Sequence, residues 1–233
     1  LKVIGRAGVG VDNVDMAAAT AKGVIVMNTP DANTLSTAEQ TITLIVAMAR
    51  NLPQADASLK AKKWERSKFT GIELYGKTLG IVGLGRIGTE VAKRMLSFGM
   101  KVIGYDPFLT KEKADALGIE LMDVDGVLKN ADILTFHVPK NKETLNMITA
   151  KEFAKMKESV MLVNCARGGI VNEKDLAEAL NTGRIKKAAL DVYEKEPPFD
   201  SELFNVDPER IIMAPHLGAS TKEAQENVGT VIV

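Results

Sequence analysis

"KTLGIVGLGRIGTEVAKRM", residues 77–95, decides the fold. An apolar run ends on Gly83-x-Gly85-x-x-Gly88, and an amphipathic run follows at once. This is a strand turning tightly into a helix. The first glycine permits the turn, the second lets backbone approach a pyrophosphate, and the third lets helix lie close to strand, with phosphates on the helix N-terminus. The next apolar run, KVIGYD (101–106), ends on Asp106, 18 residues after Gly88. A carboxylate there accepts hydrogen bonds from the adenosine ribose hydroxyls and repels a 2′-phosphate, so the spacing predicts NAD rather than NADP. Arg86, inside the turn, is placed either to reach the pyrophosphate or to be a surface arginine.

The same rhythm extends along the chain. Short apolar runs recur at 1–5 (LKVIG), 24–28 (VIVMN), 78–83, 132–138 (DILTFHV), 160–165 (VMLVNC), 187–192 (KAALDV) and 210–214 (RIIMA), with helix-like stretches between them. Strands without polar alternation are covered on both faces, as in parallel sheets. The stretches RIGTEVAKRMLSFG and NEKDLAEALNTG are amphipathic and close on Gly99 and Gly183, which suit helix C′ positions. The predicted class is therefore α/β, a doubly wound parallel sheet of Rossmann type. Ser36 and Glu39 are spaced like a capping box ahead of TITLIVAMARNL, and Ser220 and Glu223 ahead of a final helix. The first of these helices is so apolar that it must be buried against more than one neighbour, within the chain or at a subunit seam. Pro53 restarts the pattern. Residues 1–30 read as part of a second domain, 31–219 as the dinucleotide-binding domain, and 220–233 as the start of a helix returning to the first. Trp64 reads as a packing anchor that a dimer seam would use well.

Bulk composition excludes several classes. Thirty basic residues balance thirty acidic ones, so no global field favours nucleic acid or an anionic membrane. No apolar stretch approaches the roughly 20 residues of a membrane helix. The single cysteine, Cys165, cannot form an internal disulfide, which points to a reducing compartment and a cytoplasmic location. The chain opens on LKVIG without Met and stops on GTVIV, as though cut from something longer, so a targeting segment would not be visible.

Three polar residues follow later strands, at the edge where ligands bind in open α/β sheets. Arg167 follows VNCA, Glu196 follows LDVYEK, and His216, one of only two histidines, follows IMAP. Oxidising a secondary alcohol needs a base for the hydroxyl proton while hydride leaves to a nicotinamide. His216 suits that base, and Glu196 on its other nitrogen would fix the tautomer and stabilise the imidazolium. Arg167 offers a planar fork for a substrate carboxylate. Asp191, within KAALDV, is placed to accept from the nicotinamide carboxamide. His137, ending DILTFHV, either lines the cofactor or plays a strand-end structural role. Cys165 caps a buried strand with no histidine near it in sequence, against a nucleophile; no metal-ligand spacing is present.

The chain resembles the NAD-dependent D-2-hydroxyacid dehydrogenases over essentially its whole length. GRAGVGVDNVD, GKTLGIVGLGRIG, GYDP, VNCARGGIV, ALDVYEKEPP and PHLGAST stand in order at that family's positions. The resemblance implies a nucleotide-binding domain inserted into a flavodoxin-like substrate domain, and homodimers or higher homo-oligomers built on the former. It implies a catalytic set of Arg167, Glu196 and His216. Cofactor contacts would fall on Arg86, Ile87, Asp106, Cys165, Ala166, Arg167, Asp191 and the turn His216–Ala219, which includes Gly218. Arg6, Val9 and Gly10 lie in what resembles the substrate-carboxylate loop, and Asn33 matches a substrate-associated position. The tightest likeness implies oxidation of the small molecule D-3-phosphoglycerate.

Val9 and Val138 stand where close relatives often carry Thr, removing a hydroxyl contact at each. Family members also carry a further N-terminal stretch with a basic residue for the substrate phosphate, so the expectation is a core that binds NAD well and turns over poorly. Two alternatives stay open: another D-2-hydroxyacid, as in a glyoxylate or hydroxypyruvate reductase, and an NAD(H)-sensing corepressor-like scaffold that binds peptides.

Overall fold

A computed structural model describes residues 1–232. The chain begins with a small parallel unit: β1 (Val3–Arg6), α1 (Met16–Ala21) and β2 (Ile25–Asn28), with Arg6 opposite Asn28. Asp15 caps α1 by accepting from the Ala18 N–H. Then come α2 (Thr34–Arg50) and α3 (Leu52–Lys60), joined at Asn51, which adopts a left-handed backbone conformation (φ 54°) and breaks one long helix into two.

The larger sheet follows as β3 (Thr78–Val82), α4 (Arg86–Ser97), β4 (Lys101–Tyr105), α5 (Lys111–Ala116), β5 (Ile119–Leu121), α6 (Val124–Asn130) and β6 (Ile133–Phe136). Its second half is α7 (Ala150–Phe153), β7 (Met161–Asn164), α8 (Glu173–Asn181), β8 (Lys187–Leu190) and β9 (Ile211–Met213). The helix α9 (Lys222–Ile232) closes the described chain, and Ile232 lies against Gly5 of β1. Among the described residues this sheet has seven strands in the order β5-β4-β3-β6-β7-β8-β9, every pairing parallel. The order reverses between β3 and β6, and ligands bind outside the carboxyl ends at such a switch point.

Two apolar layers sandwich the sheet, as the unbroken apolar runs predict. On one face α2 and α4 cover Leu79, Ile81, Ile133, Met161, Val163 and Ala189; on the other α6, α7 and α8 cover Val82, Leu134, Phe136, Leu162 and Leu190. The apolar breadth of α2 is thus accounted for within the chain, against α4 and the sheet. Gly99 and Gly183 do follow their helices with positive φ, as read from the sequence.

Three readings are corrected. Ser36 is not a cap: α2 starts at Thr34, and the Ser36 hydroxyl donates instead to the Gly218 carbonyl. Ser220 does not cap α9 either; Thr221 does, its hydroxyl accepting from the Ala224 N–H at 3.1 Å. Trp64 anchors nothing within the chain, being 77% exposed. The strand β5 and helices α5 to α7 were not read from the sequence.

Candidate active site

The parallel register sets the carboxyl ends of β7, β8 and β9 level: Asn164 faces Leu190, which faces Met213. Just past them stand Arg167, Glu196 and His216. His216 Nδ1 lies 2.7 Å from Glu196 Oε2, and both side chains are open to the crevice. The other carboxylate oxygen of Glu196 accepts from the Tyr193 N–H at 3.2 Å. Since Nδ1 is engaged, Nε2 is the imidazole nitrogen left for a ligand. His216 has φ 56°, a left-handed conformation uncommon for a residue with a side chain.

The turn beyond His216 is tightly held. Asp191, fully buried, accepts from the N–H groups of Leu217 and Gly218, each at 2.8 Å, and from Gln40 Nε2 at 3.3 Å. Ser36 and Thr37 hydroxyls donate to the Gly218 carbonyl at 2.7 and 3.2 Å. Upstream, the Tyr193 hydroxyl donates to the Ala214 carbonyl at 2.9 Å. Burial, with the Asp191 charge nearby, pushes that phenol up, so it remains a donor. None of these supports is visible in the sequence, because each joins residues distant along the chain. Ala219 follows the turn, half-buried.

Arg167 Nε donates to Asp12 Oδ2 at 2.9 Å, and its Nη1 donates to the Ala166 carbonyl at 2.7 Å. A side chain at Gly10 would run into the guanidinium, so the loop from Arg6 to Gly10 lies directly against Arg167. Asp12 is a site residue the sequence reading missed; its partner is 155 positions away. Among the described residues Arg6 donates only to the neighbouring Ala7 carbonyl, and Val9 accepts from Asn28 Nδ2 at 2.7 Å through its carbonyl. The Gly8 N–H donates to Thr29 Oγ1 at 2.9 Å, which ties this loop to the segment entering α2.

The geometry of the glycine turn fits a phosphate. Gly83 has φ 98°, and a Cβ there would meet the His137 backbone at 2.6 Å; a Cβ at Gly88 would strike the Gly83 carbonyl oxygen. At Gly85, by contrast, a Cβ would project into open space, and no side chain caps the N-terminus of α4 beside it. The turn therefore leaves a bare backbone cradle with free N–H groups at Arg86 and Ile87. A cleft of about 420 Å³ opens there, lined by Asp31, Thr34, Leu35, Gly85, Arg86, Thr89 and Glu90. Arg86 pairs with Asp31 across it. That exposed pair is weak, so releasing Arg86 to a pyrophosphate costs little, about 1 kcal/mol or less.

Asp106 lies beside the turn. Its Oδ2 accepts from the Leu84 N–H and its Oδ1 from the Phe108 N–H, both at 2.8 Å, with lone pairs left over for ribose hydroxyls. Asn33 Oδ1, Thr34 Oγ1 and His137 Nδ1 are buried polar atoms without a partner among the described residues. Such orphans cost free energy unless a ligand or water completes them. Burial holds His137 down at about 4, so its imidazole is neutral at pH 7. Cys165 is also buried, and burial is the main cause that pushes its thiol up to about 12; it is no nucleophile. The bare turn, the placed carboxylate and the orphaned atoms together fit a dinucleotide. Among the described residues no group of three or more His, Cys, Asp or Glu is arranged to hold a metal, and no helix is long and apolar enough to cross a membrane.

Comparison with known proteins identifies the family. Residues 42–218 match the profile of the D-isomer specific 2-hydroxyacid dehydrogenase, NAD binding domain. The chain is 55% identical, over all 233 residues, to D-3-phosphoglycerate dehydrogenase of Methanocaldococcus jannaschii, covering 44% of that protein. It is 54% identical over 228 residues to that of Bacillus subtilis, covering 98% of this chain and 43% of the relative. The chain thus spans less than half the length of these curated relatives. Among solved structures, a glyoxylate reductase from Paecilomyes thermophila superposes with TM-score 0.91 at 37% identity, over 100% of this chain and 70% of the other. A D-lactate dehydrogenase from Aquifex aeolicus, complexed with NAD and lactic acid, gives TM-score 0.92 at 30% identity, over 100% and 74%. The chain belongs to the D-isomer specific 2-hydroxyacid dehydrogenases, and residues 42–218 are their NAD-binding domain.

Proposed function

We propose that this chain carries the NAD-binding and acid/base machinery of a D-3-phosphoglycerate dehydrogenase, which oxidises the 2-hydroxyl to give 3-phosphohydroxypyruvate, the first step of serine biosynthesis. The observation that carries the reading is the 2.7 Å contact between His216 Nδ1 and Glu196 Oε2 at the sheet edge beside the glycine turn. The names of the relatives at 54–55% identity support the substrate.

NAD, bound along the glycine turn, supplies the hydride acceptor. Gly85 and the α4 N-terminus would hold its pyrophosphate, and Asp106 would hold the adenosine ribose and disfavour a 2′-phosphate. His216 Nε2 accepts the 2-hydroxyl proton as hydride departs, and Glu196 stabilises the imidazolium through Nδ1. Arg167 exchanges Asp12 for the substrate carboxylate, in a fork geometry Lys could not reproduce. The backbone of Arg6 to Gly10 and the amide of Asn33 complete the carboxylate's surroundings. Ala166, Ile87, His137, Cys165, Gly218 and Ala219 would line the cofactor.

In this reading residues 31–219 form the nucleotide domain, and 1–30 with 220–233 belong to the substrate domain. The exposed Leu52, Leu59, Trp64 and Tyr75 support a homodimer or higher oligomer seated on the nucleotide domain. The lone buried thiol supports a cytoplasmic setting.

The test is NAD reduction by the complete protein offered D-3-phosphoglycerate, D-glycerate and D-lactate. The phosphorylated acid is expected to give the highest kcat/KM. His216→Ala is expected to lower kcat by about 10³-fold, with the NAD Kd nearly unchanged. Equal or better use of the unphosphorylated acids would transfer the assignment to another D-2-hydroxyacid dehydrogenase, a glyoxylate or hydroxypyruvate reductase where D-glycerate is preferred. Normal turnover by His216→Ala would end the acid/base reading.

A further inference from the structure

The turn that presents His216 is gripped from α2. Ser36 and Thr37 are consecutive, buried, and 181 or more positions from Gly218, yet both hydroxyls donate to its carbonyl. A backbone carbonyl has two lone pairs, and here side chains fill both. Serine and threonine are weaker helix formers than alanine, and within a helix their hydroxyls usually turn back to a carbonyl of the preceding turn. Thr41 does so, donating to the Thr37 carbonyl at 2.9 Å. Ser36 and Thr37 do not. Their hydroxyls are spent on the histidine turn.

We infer that Ser36 and Thr37 are positioning residues that fix the His216 imidazole through the Gly218 carbonyl. The inference rests on His216 being the base proposed above. Asp191 holds the N–H groups of Leu217 and Gly218 from the β8 side, while the two hydroxyls hold the carbonyl of Gly218 from the α2 side. With donors and acceptor pinned, the peptide planes after His216 cannot rotate. His216 itself sits in a left-handed conformation, which persists only where the surroundings over-determine it. Releasing the carbonyl frees the segment to relax and swings the imidazole off Glu196. The helix that supplies the hydroxyls also begins just beyond Thr29, whose N–H donates to the Gly8 carbonyl while its hydroxyl accepts from the Gly8 N–H. The Arg6–Gly10 loop is thereby tied to the segment that leads into the helix gripping the turn of the base.

The test compares Ser36→Ala/Thr37→Val, Ser36→Ala alone, and the hydroxyl-retaining Ser36→Thr/Thr37→Ser in the complete protein, with His216→Ala alongside. Removing both hydroxyls is expected to lower kcat by about 10- to 100-fold, the scale of a small misplacement of a catalytic group. KM and the NAD Kd should stay within about threefold, and the pH profile of kcat should shift as the Glu196–His216 contact loosens. The hydroxyl-retaining variant should recover most of the loss. A double variant with wild-type kcat and pH profile, or one that loses NAD affinity in proportion to kcat, overturns the inference. Should that variant fail to fold, Ser36→Ala alone is judged by the same readouts. Turnover surviving in His216→Ala brings down the base reading and this inference with it. Loss in His216→Ala beside an unaffected hydroxyl variant brings down only the latter.

Discussion

Asp191→Asn is the most demanding test of how the histidine turn is held. The carboxylate is fully buried, and its two oxygens receive different N–H groups: Oδ1 that of Leu217, Oδ2 that of Gly218, both at 2.8 Å. An amide of the same shape offers one oxygen and one NH2. Whichever way it is placed, one backbone N–H loses its acceptor and confronts another donor. The lost charge-assisted bond is worth about 1.5–3 kcal/mol, and the buried, unsatisfied donor costs a further ~1–3 kcal/mol. The expected destabilisation is about 3–5 kcal/mol, measured by denaturant unfolding at pH 7. It should barely change with salt, because screening hardly reaches a buried group. Turnover should fall with it, as the displaced turn carries His216. A loss below about 1 kcal/mol, or an unaltered kcat in the folded variant, would refute the clamp.

Three further expectations follow from the same geometry. Gly88→Ala drives a methyl into the fixed Gly83 carbonyl and should cost about 1–3 kcal/mol, whereas Gly85→Ala, facing open space at φ −68°, should leave stability nearly intact and weaken NAD; equal effects of the two on NAD would dismiss the cradle. Calorimetry should find NAD bound far more tightly than NADP, with Asp106→Ser narrowing the gap; equal wild-type affinities would count against Asp106 as the ribose acceptor. Burial holds His137 at about 4, well below the ordinary value near 6.5. Between those values the unfolded chain takes up a proton that the folded chain refuses, so stability declines as pH falls from 6.5 towards 4, by up to about 3 kcal/mol. His137→Gln should lose that component; an identical pH dependence in both proteins would show the imidazole to be solvated.

The strands were legible because a parallel sheet covered on both faces leaves no polar alternation, and the glycine turn because each of its glycines answers a steric demand. The pairing of Glu196 with His216 was legible because the strand ends place both on one edge. Short elements were not: β5 has three residues at the sheet margin with Glu120 in its centre, too few to show a period. Ser36 misled because Ser-x-x-Glu is also compatible with a helix already under way, and only the approach of Gly218 reveals where the hydroxyl goes. Likewise Asp12 and Asp191 take partners fixed by register and by the docking of the small sheet, neither of which is written in local sequence.

The level carboxyl ends of β7, β8 and β9 have an evolutionary consequence. Arg167, Glu196 and His216 depart from a common baseline, so lengthening any one loop would throw its residue out of alignment with the others. The loop from Arg6 to Gly10 and Asp12, which the proposed function places beside the substrate, follows a strand of a separate pair. On the proposed reading, the acid/base pair and part of the substrate's surroundings then occupy different pieces of chain. New substrates can be sampled by redrawing the second piece while the first stays unaltered.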